Sequence, residues 1–282
     1  MNILQLINDG ADRLRSRNIN SSKLDSEILL SKILNKKREN LLTHLDKKID
    51  QKNIDKFYKL ILRRSFYEPV AYILNIKEFW SKTFKVDGNT LIPRPETELL
   101  VEKLVSIFKK KRINILDIGT GSGCIIISLL SELTDSYGTG IDISKKAIQI
   151  AIKNSKRHDL INNIKFINRS FESIKFKKFD LVVSNPPYIK SIDIKKLNKS
   201  IKNFEPKIAL DGGNDGLDVV KKVIYKAKEI LKVNGFLALE IGNGQFRLVS
   251  ALLLKNSFRI EHITKDFKDN IRCLIAKNIT KK

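Results

Sequence analysis

The chain has 282 residues, longer than a single core of roughly 150 to 200 residues requires, and its 42% hydrophobic and 30% charged content excludes global disorder. Its formal charge of +23 invites a nucleic-acid partner, yet Lys is spread along the whole chain among many Ile and Asn, as A+T-rich coding drift would produce, so charge alone assigns no function. Two distant cysteines and three scattered histidines (His44, His158, His262) imply neither a disulfide framework nor a metal site, and no apolar run approaches the ~18 residues of a membrane span. With no signal-peptide pattern in MNILQLINDGADR, a cytoplasmic protein without a membrane partner is expected.

In chain order, residues 2 to 17 place Ile3, Leu6, Ile7, Ala11 and Leu14 on one helical face. Ser21 or Ser22 can cap a second amphipathic helix carrying Leu24, Ile28, Leu29 and Leu34, and Ile54, Phe57, Leu60 and Ile61 repeat the pattern over residues 50 to 65. Residues 1–74 therefore read as a small helical domain. Residues 75–92 read as a β-hairpin linker: Phe79 to Val86 alternates, Asp87-Gly88-Asn89 supplies turn chemistry, and Thr90 to Ile92 resumes an extended run. Pro93-Arg94-Pro95 breaks the strand, and Pro95 suits the first turn of a helix through Leu99, Leu100, Leu104 and Ile107.

Within residues 93–282, strands are predicted near 113–118, 137–142, 164–168, 179–184, 236–241, 258–263 and 271–276, alternating with helices. That is an α/β domain with a mostly parallel sheet. Ser144 is the expected cap of one of its helices, and Asp215 or Asp218 of another.

Three places in this domain carry chemistry. Asp117 ends a buried strand that runs into Gly119-Thr120-Gly121-Ser122-Gly123, where glycines let backbone approach a ligand and turn the chain onto a helix N-terminus. The G-x-G-x-G spacing departs from the dinucleotide fingerprint, and an acid at the strand end suits a cationic amino-acid moiety better than a phosphate. Asp142 closes the next strand, about 20 residues on, where α/β nucleoside-binding folds place an acid on the ribose hydroxyls. It can equally help cap the following helix.

Asn185-Pro186-Pro187-Tyr188 follows the strand Asp180 to Ser184 and so sits at the carboxyl end of the sheet. An amide or aromatic amine is a poor nucleophile because its lone pair is delocalised. The Asn185 side-chain oxygen and the Pro186 carbonyl can accept the hydrogens of such an NH2 group, two prolines stiffen the turn, and the Tyr188 ring offers a flat face to a planar substrate. Asn185, Pro186 and Tyr188 are the candidate catalytic residues, and Asn185 to Tyr188 the candidate substrate contacts.

With these segments assembled, the chain resembles the release-factor glutamine methyltransferases, the PrmC/HemK family, over nearly its full length. The resemblance rests on Glu68-Pro69-Val70-Ala71-Tyr72-Ile73 with Glu78-Phe79-Trp80, on Leu91-Ile92-Pro93-Arg94-Pro95-Glu96-Thr97-Glu98, and on Asn185 to Tyr188. It implies a class I S-adenosylmethionine-dependent methyltransferase domain, a Rossmann-like seven-stranded sheet, with S-adenosyl-L-methionine as cofactor. The implied cofactor contacts are Gly119, Thr120, Gly121, Ser122, Gly123, Asp142 and Asn185, beside Asp117, which is a candidate from its own charge at the strand end. The implied target is the side-chain nitrogen (N5) of the glutamine in the Gly-Gly-Gln motif of class 1 peptide chain release factors, with translation termination as the process supported. The helical domain is then the expected substrate-recognition domain, no nucleic acid is obligatory, and a monomer is expected.

Two positions depart from the family pattern. Asn75 stands where relatives usually have Gly, a mild change if the backbone is left-handed there. Asn168-Arg169-Ser170-Phe171 has Arg169 in place of an acid, so Ser170 or Phe171 must line the adenine side. Glu205-Pro206 and the run Asp211 to Asp218 also match the family, without a derivable role. Competing readings are an adenine-N6 methyltransferase on DNA or RNA, which shares the Asn-Pro-Pro-Tyr run, a ribosomal-protein glutamine methyltransferase, and a non-catalytic binding module supported only by Arg169.

Overall fold

A computed structural model describes residues 1–175 and 179–279. The helices are α1 Ile3–Arg15, α2 Ser22–Ile33, α3 Arg38–Leu42, α4 Gln51–Ser65, α5 Val70–Leu74, α6 Pro95–Phe108, α7 Cys124–Glu132, α8 Lys145–Arg157, α9 Lys199–Phe204, α10 Asp218–Ile230 and α11 Phe246–Lys255. The strands are β1 Ile76–Phe79, β2 Lys82–Lys85, β3 Asn114–Ile118, β4 Tyr137–Asp142, β5 Ile164–Asn168, β6 Phe179–Ser184, β7 Leu231–Glu240, β8 Phe258–Lys265 and β9 Ile271–Asn278. Two compact units result: Met1–Ile76 with Asn198–Phe204, and Lys77–Leu197 with the chain from Glu205 onward. No helix among the described residues is long and apolar enough to cross a membrane.

The first unit is a helical bundle. Ile3, Leu6, Ile7 and Leu14 of α1 bury against Leu29 and Leu30 of α2 and Ile54, Phe57 and Ile61 of α4 in one apolar cluster. The helices approach closely at Gly10, where a Cβ would stand 2.6 Å from both the Phe57 ring and Ser26 Oγ. Ser21 precedes α2 without capping its backbone: its hydroxyl donates instead to Asp25 (2.7 Å), and Asp25 pairs with the buried Arg64 at 2.7 Å. Arg64 also reaches Ser200 Oγ of α9 (3.1 Å), a segment more than 130 residues away that nothing in the local sequence assigns to this bundle. Asn75 ends α5 in the left-handed region at φ 56°, the conformation that makes Asn a mild replacement for Gly.

In the second unit the sheet order among the described residues is β5-β4-β3-β6-β7-β9-β8. Strands β5, β4, β3, β6 and β7 are mutually parallel; β9 pairs antiparallel with both β7 and β8. The strands β3 (NILDI) and β6 (FDLVVS) are buried along most of their length because helices cover both faces. Leu100, Leu104, Ile126 and Leu129 of α6 and α7 pack with Ile115 and Val183, while Val220, Val223 and Ile224 of α10 pack with Leu116 and Val182. The strand order reverses at β3, between β4 and β6, so the carboxyl ends of β3 and β6 open on the crevice where such folds bind ligands.

The hairpin differs from expectation. Its strands are β1 and β2, and the turn is Trp80-Ser81, both with positive φ (52° and 53°), rather than Asp87-Gly88-Asn89. A two-residue hairpin turn with that twist normally takes Gly or Asn; here Glu98 holds the Trp80 amide at 2.9 Å and Glu132 the indole N–H at 2.9 Å. The segment is also more than a linker, since Phe79 and Phe84 are fully buried among the α6 and α7 side chains. Asn154 of α8 exchanges two hydrogen bonds with the Lys85 backbone (2.7 and 3.0 Å) and donates a third to the Ser122 carbonyl, tying β2 to the glycine-rich loop.

Candidate active site

Four strand ends converge on a cavity of about 310 Å³. The loop after β3 supplies Gly119, Thr120, Gly121 and Ser122 to its wall, β4 ends in Asp142, Arg169, Ser170 and Phe171 follow β5, and Asn185, Pro186 and Pro187 follow β6. Residues named from separate stretches of sequence are thus brought around one space. Gly119 and Gly121 have φ of 72° and 54°, and a Cβ on Gly119 would meet nothing within 4 Å, so the loop presents bare backbone to open volume. Gly123 (φ 81°) instead lies beneath the loop at the N-terminus of α7, where a Cβ would press on Ile127 at 3.0 Å.

Asp117 is fully buried under this loop. Oδ2 accepts from Thr120 Oγ1 at 2.7 Å, while Oδ1 has no hydrogen-bond partner among the described residues. Burial pushes its carboxyl up to about 7, the Thr120 hydrogen bond opposing and the Asp142 charge adding to the rise. A cation brought against this carboxylate would relieve both the desolvation and the repulsion. Asp142 has its oxygens oriented by backbone: Oδ2 accepts from the Gly121 amide (3.0 Å) and Oδ1 from the Ser144 amide (2.8 Å). Its carboxyl is also raised by burial, against those two hydrogen bonds. Ser144 itself caps α8 by accepting from Ala147 at 3.2 Å, so Asp142 braces both the loop and the helix start.

Beside the β6 loop lies a network with no counterpart in the sequence reading, beginning at Thr97, which itself lines the cavity. Asn185 Nδ2 donates to Thr97 Oγ1 (3.3 Å), and Thr97 Oγ1 donates to Glu240 Oε2 (2.6 Å). Glu240 Oε1 accepts from the Tyr188 hydroxyl (3.2 Å), which accepts in turn from Arg272 (3.2 Å). Glu240 is 0% exposed, so this carboxylate is held entirely by protein groups. Tyr188 stands behind the Asn185–Pro187 wall; burial first, then the Glu240 charge, push its hydroxyl up to about 12.

The comparisons with known proteins agree with this architecture. Residues 5–74 match the family described as PrmC N-terminal domain, and residues 109–274 match a methyltransferase domain family. A release factor glutamine methyltransferase of Fusobacterium nucleatum is 39% identical over 99% of this chain and 79% of its own length. The chain belongs to the release factor glutamine methyltransferase family.

A second family member, from Rhodospirillum rubrum, is 35% identical over 97% of this chain and 84% of its own length. A bifunctional methyltransferase of Rickettsia typhi is 40% identical over 96% of this chain, which spans 56% of that longer relative. Among solved structures, the hMettl16 catalytic domain superposes with a TM-score of 0.60 at 16% identity, over 79% of this chain and 83% of that one, a likeness of fold.

The structure also gives work to family segments that the sequence left without a role. Glu205, nearly buried, accepts from Arg94 (2.6 Å) and from the Ile92 amide (3.2 Å), and so clamps the Leu91–Glu98 junction of this release factor glutamine methyltransferase fold. The run Asp211 to Asp218 braces the Asn-Pro-Pro-Tyr loop: the Gly212 amide donates to the Ile189 carbonyl (2.8 Å) while the Ile189 amide donates to the Leu210 carbonyl just before the run (3.1 Å), and a Cβ on Gly216 would meet the Tyr188 carbonyl at 2.5 Å. Gln245 closes the same contact by donating to both the Tyr188 and Gly216 carbonyls (3.0 and 3.1 Å). Of the two candidate caps for α10, neither caps it directly, although Asp215 accepts from the Leu217 amide.

Proposed function

We propose that the chain transfers a methyl group from S-adenosyl-L-methionine to N5 of the glutamine in the Gly-Gly-Gln motif of class 1 peptide chain release factors. The observation that carries the reading is the sharing of one cavity by the bare glycine loop, Asp142 and the rigid Asn185-Pro186-Pro187 wall. The names of its relatives support the choice of substrate. This activity belongs in the cytoplasm with translation termination, and needs neither a second copy nor a nucleic acid.

The residues present fit the cofactor. The orphaned Asp117 oxygen suits its cationic amino-acid end, the open space over Gly119 admits its backbone-hugging part, and Asp142 presents two oriented oxygens for ribose hydroxyls. Ser170 and Phe171 line the adenine side, with the Arg169 backbone amide anchored to the Asp142 carbonyl at 3.0 Å. When bound, S-adenosylmethionine supplies an activated methyl on a sulfonium, an excellent leaving group. The protein's task is then alignment: Asn185 Oδ1 and the Pro186 carbonyl accept the two amide hydrogens, draw electron density toward the nitrogen and fix its direction of attack. The apolar lining from Ile118, Ile125, Pro186 and Pro187 excludes water.

The test supplies methyl-labelled cofactor and, separately, a release factor, a ribosomal protein and DNA. Label entering the release factor supports the reading, and label in either other arm with none in the release factor refutes it. Asp142→Ala should weaken cofactor binding by about 1–3 kcal/mol, through lost ribose hydrogen bonds and loss of the acceptor for the Gly121 amide. An unchanged dissociation constant by calorimetry would leave Asp142 only its bracing role.

We assign recognition of the folded substrate to the helical unit, because a glutamine on a short loop offers little surface of its own. Leu62 and Phe66, at the end of α4, are 59% and 64% exposed, a pair of apolar groups suited to anchoring a protein partner. The double variant Leu62→Ala/Phe66→Ala should raise KM for intact release factor about fivefold or more while leaving turnover of a Gly-Gly-Gln peptide unchanged. Equal efficiency on the intact factor would remove these side chains from recognition.

A further inference from the structure

We propose that Thr97 and Glu240 are positioning residues that set which way the Asn185 side-chain amide faces, turning its oxygen toward the acceptor nitrogen. The inference rests on the reading of Asn185 as the group that receives the target NH2.

The argument is one of donor and acceptor counting. The two ends of an asparagine amide have nearly the same shape, so packing alone does not choose between its two flips. Only one flip is useful here, since the other presents an NH2 group to a substrate NH2 group and leaves both without an acceptor. Thr97 is 2% exposed in the first turn of α6, and Glu240 is 0% exposed at the carboxyl end of β7. Burial raises the Glu240 carboxyl, while the Thr97 hydrogen bond, the Arg272 charge and the Tyr188 hydrogen bond act to lower it. Held by these three groups as the carboxylate, it has no proton to give, so the hydrogen in the 2.6 Å contact is that of the Thr97 hydroxyl. With that hydrogen committed, Thr97 Oγ1 can only accept. It therefore takes the Nδ2–H of Asn185, at 3.3 Å, and would repel Oδ1 in the same place.

The rest of the network keeps Glu240 in the acceptor role. Its second oxygen takes the Tyr188 hydroxyl at 3.2 Å, the Arg272 guanidinium lies 3.9 Å away, and Arg272 donates to Tyr188 as well. Donor directions are thus fixed from Arg272 through Tyr188 to Glu240, and from Asn185 through Thr97 to the same carboxylate. Thr97 lies 88 residues from Asn185 in sequence and Glu240 lies 52 from Tyr188. No step of methyl transfer passes through either residue; they act on the orientation of Asn185.

The full-length protein tests this with two readouts. In kinetics on release factor, Thr97→Val, which keeps shape and removes the hydroxyl, should lower kcat by about 10- to 100-fold with the cofactor KM within twofold. Thr97→Ser, which restores the hydroxyl, should stay within about threefold of wild type. Glu240→Gln, of equal size but able to donate as well as accept, should lower kcat at least fivefold.

In NMR of the protein alone, the Asn185 side-chain NH2 signals, assigned by their loss in Asn185→Ala, should move in Thr97→Val and stay in Thr97→Ser. Wild-type kcat in Thr97→Val, or equal losses in the Val and Ser variants, overturns the proposal. If Thr97→Val does not fold, a wild-type rate in Glu240→Gln overturns it. Should Asn185→Ala keep its turnover, the reading of Asn185 fails, while the NMR comparison still decides whether Thr97 orients that amide.

Discussion

Asn185→Ala is expected to lower kcat on release factor by about 10²- to 10³-fold while cofactor affinity stays within about fivefold of wild type. The magnitude is that of removing one preorganised group from a water-excluded site, where no solvent molecule is positioned to replace it. The substitution deletes the side-chain oxygen assigned to the target NH2 and leaves only the Pro186 carbonyl. It spares the glycine loop, whose conformation depends on its own left-handed glycines and on the Gly121 to Asp142 bond. It also takes the donor away from Thr97, whose bond to the Glu240 carboxylate is independent of residue 185. Single-turnover rates with saturating cofactor, read beside calorimetric dissociation constants, separate the two quantities. A variant turning over within tenfold of wild type would mean that Asn185 does not hold the reacting nitrogen.

Cofactor affinity is expected to fall as pH drops below about 7, by roughly tenfold per pH unit, and to level off above it. The cause is Asp117, whose carboxyl burial has raised to about 7, so a proton competes with the cationic amino-acid end of the cofactor for the same buried oxygens. Asp142 and Glu172 are carboxyls of the cavity wall itself, and Asp142 is also raised by burial, so the assignment needs a variant. Asp117→Asn should bind more weakly at pH 8 and lose most of the dependence between pH 8 and pH 6.

Without ligand the sign reverses. A folded-state value of about 7 lies above the ordinary 3.8, so this group's contribution to stability is complete below about 3.8 and lost as pH rises through 7. Asp117→Asn should accordingly raise Tm most at pH 8. A flat affinity profile in the wild-type protein would remove Asp117 from cofactor binding.

The seven strands of the large sheet were readable because their runs are apolar and β-branched, bounded by caps and turns, as in Ile115–Ile118 and Leu181–Val183. The glycine loop, Asp142 and the Asn-Pro-Pro-Tyr run were readable because each sits at a strand end, where the fold class puts its ligand. The hairpin turn was misplaced for a physical reason. Asp87-Gly88-Asn89 has the stronger local turn chemistry, and it does form a turn, with Asp87 Oδ1 accepting from the Asn89 amide at 2.8 Å. The strands nevertheless reverse at Trp80-Ser81, which carries no turn signature and is held by Glu98 and Glu132 from distant helices.

The polar network behind Asn185 was invisible for the same kind of reason. Thr97 reads as an ordinary first-turn helix residue, Glu240 as the end of a strand and Arg272 as one of 54 basic residues. Only the sheet order brings them together, by setting β7 between β6 and β9. Glu205 and Gln245 belong with them, since their partners at residues 92, 94, 188 and 216 are likewise remote in sequence.

The most direct test of the central claim is tandem mass spectrometry of a class 1 release factor after incubation with the full chain and S-adenosyl-L-methionine. The expected result is a single added methyl on the side-chain nitrogen of the Gly-Gly-Gln glutamine, absent when Asn185→Ala replaces the wild-type protein. An unmodified glutamine under conditions where the wild-type protein binds the cofactor, or a methyl at any other residue of the factor, would contradict it.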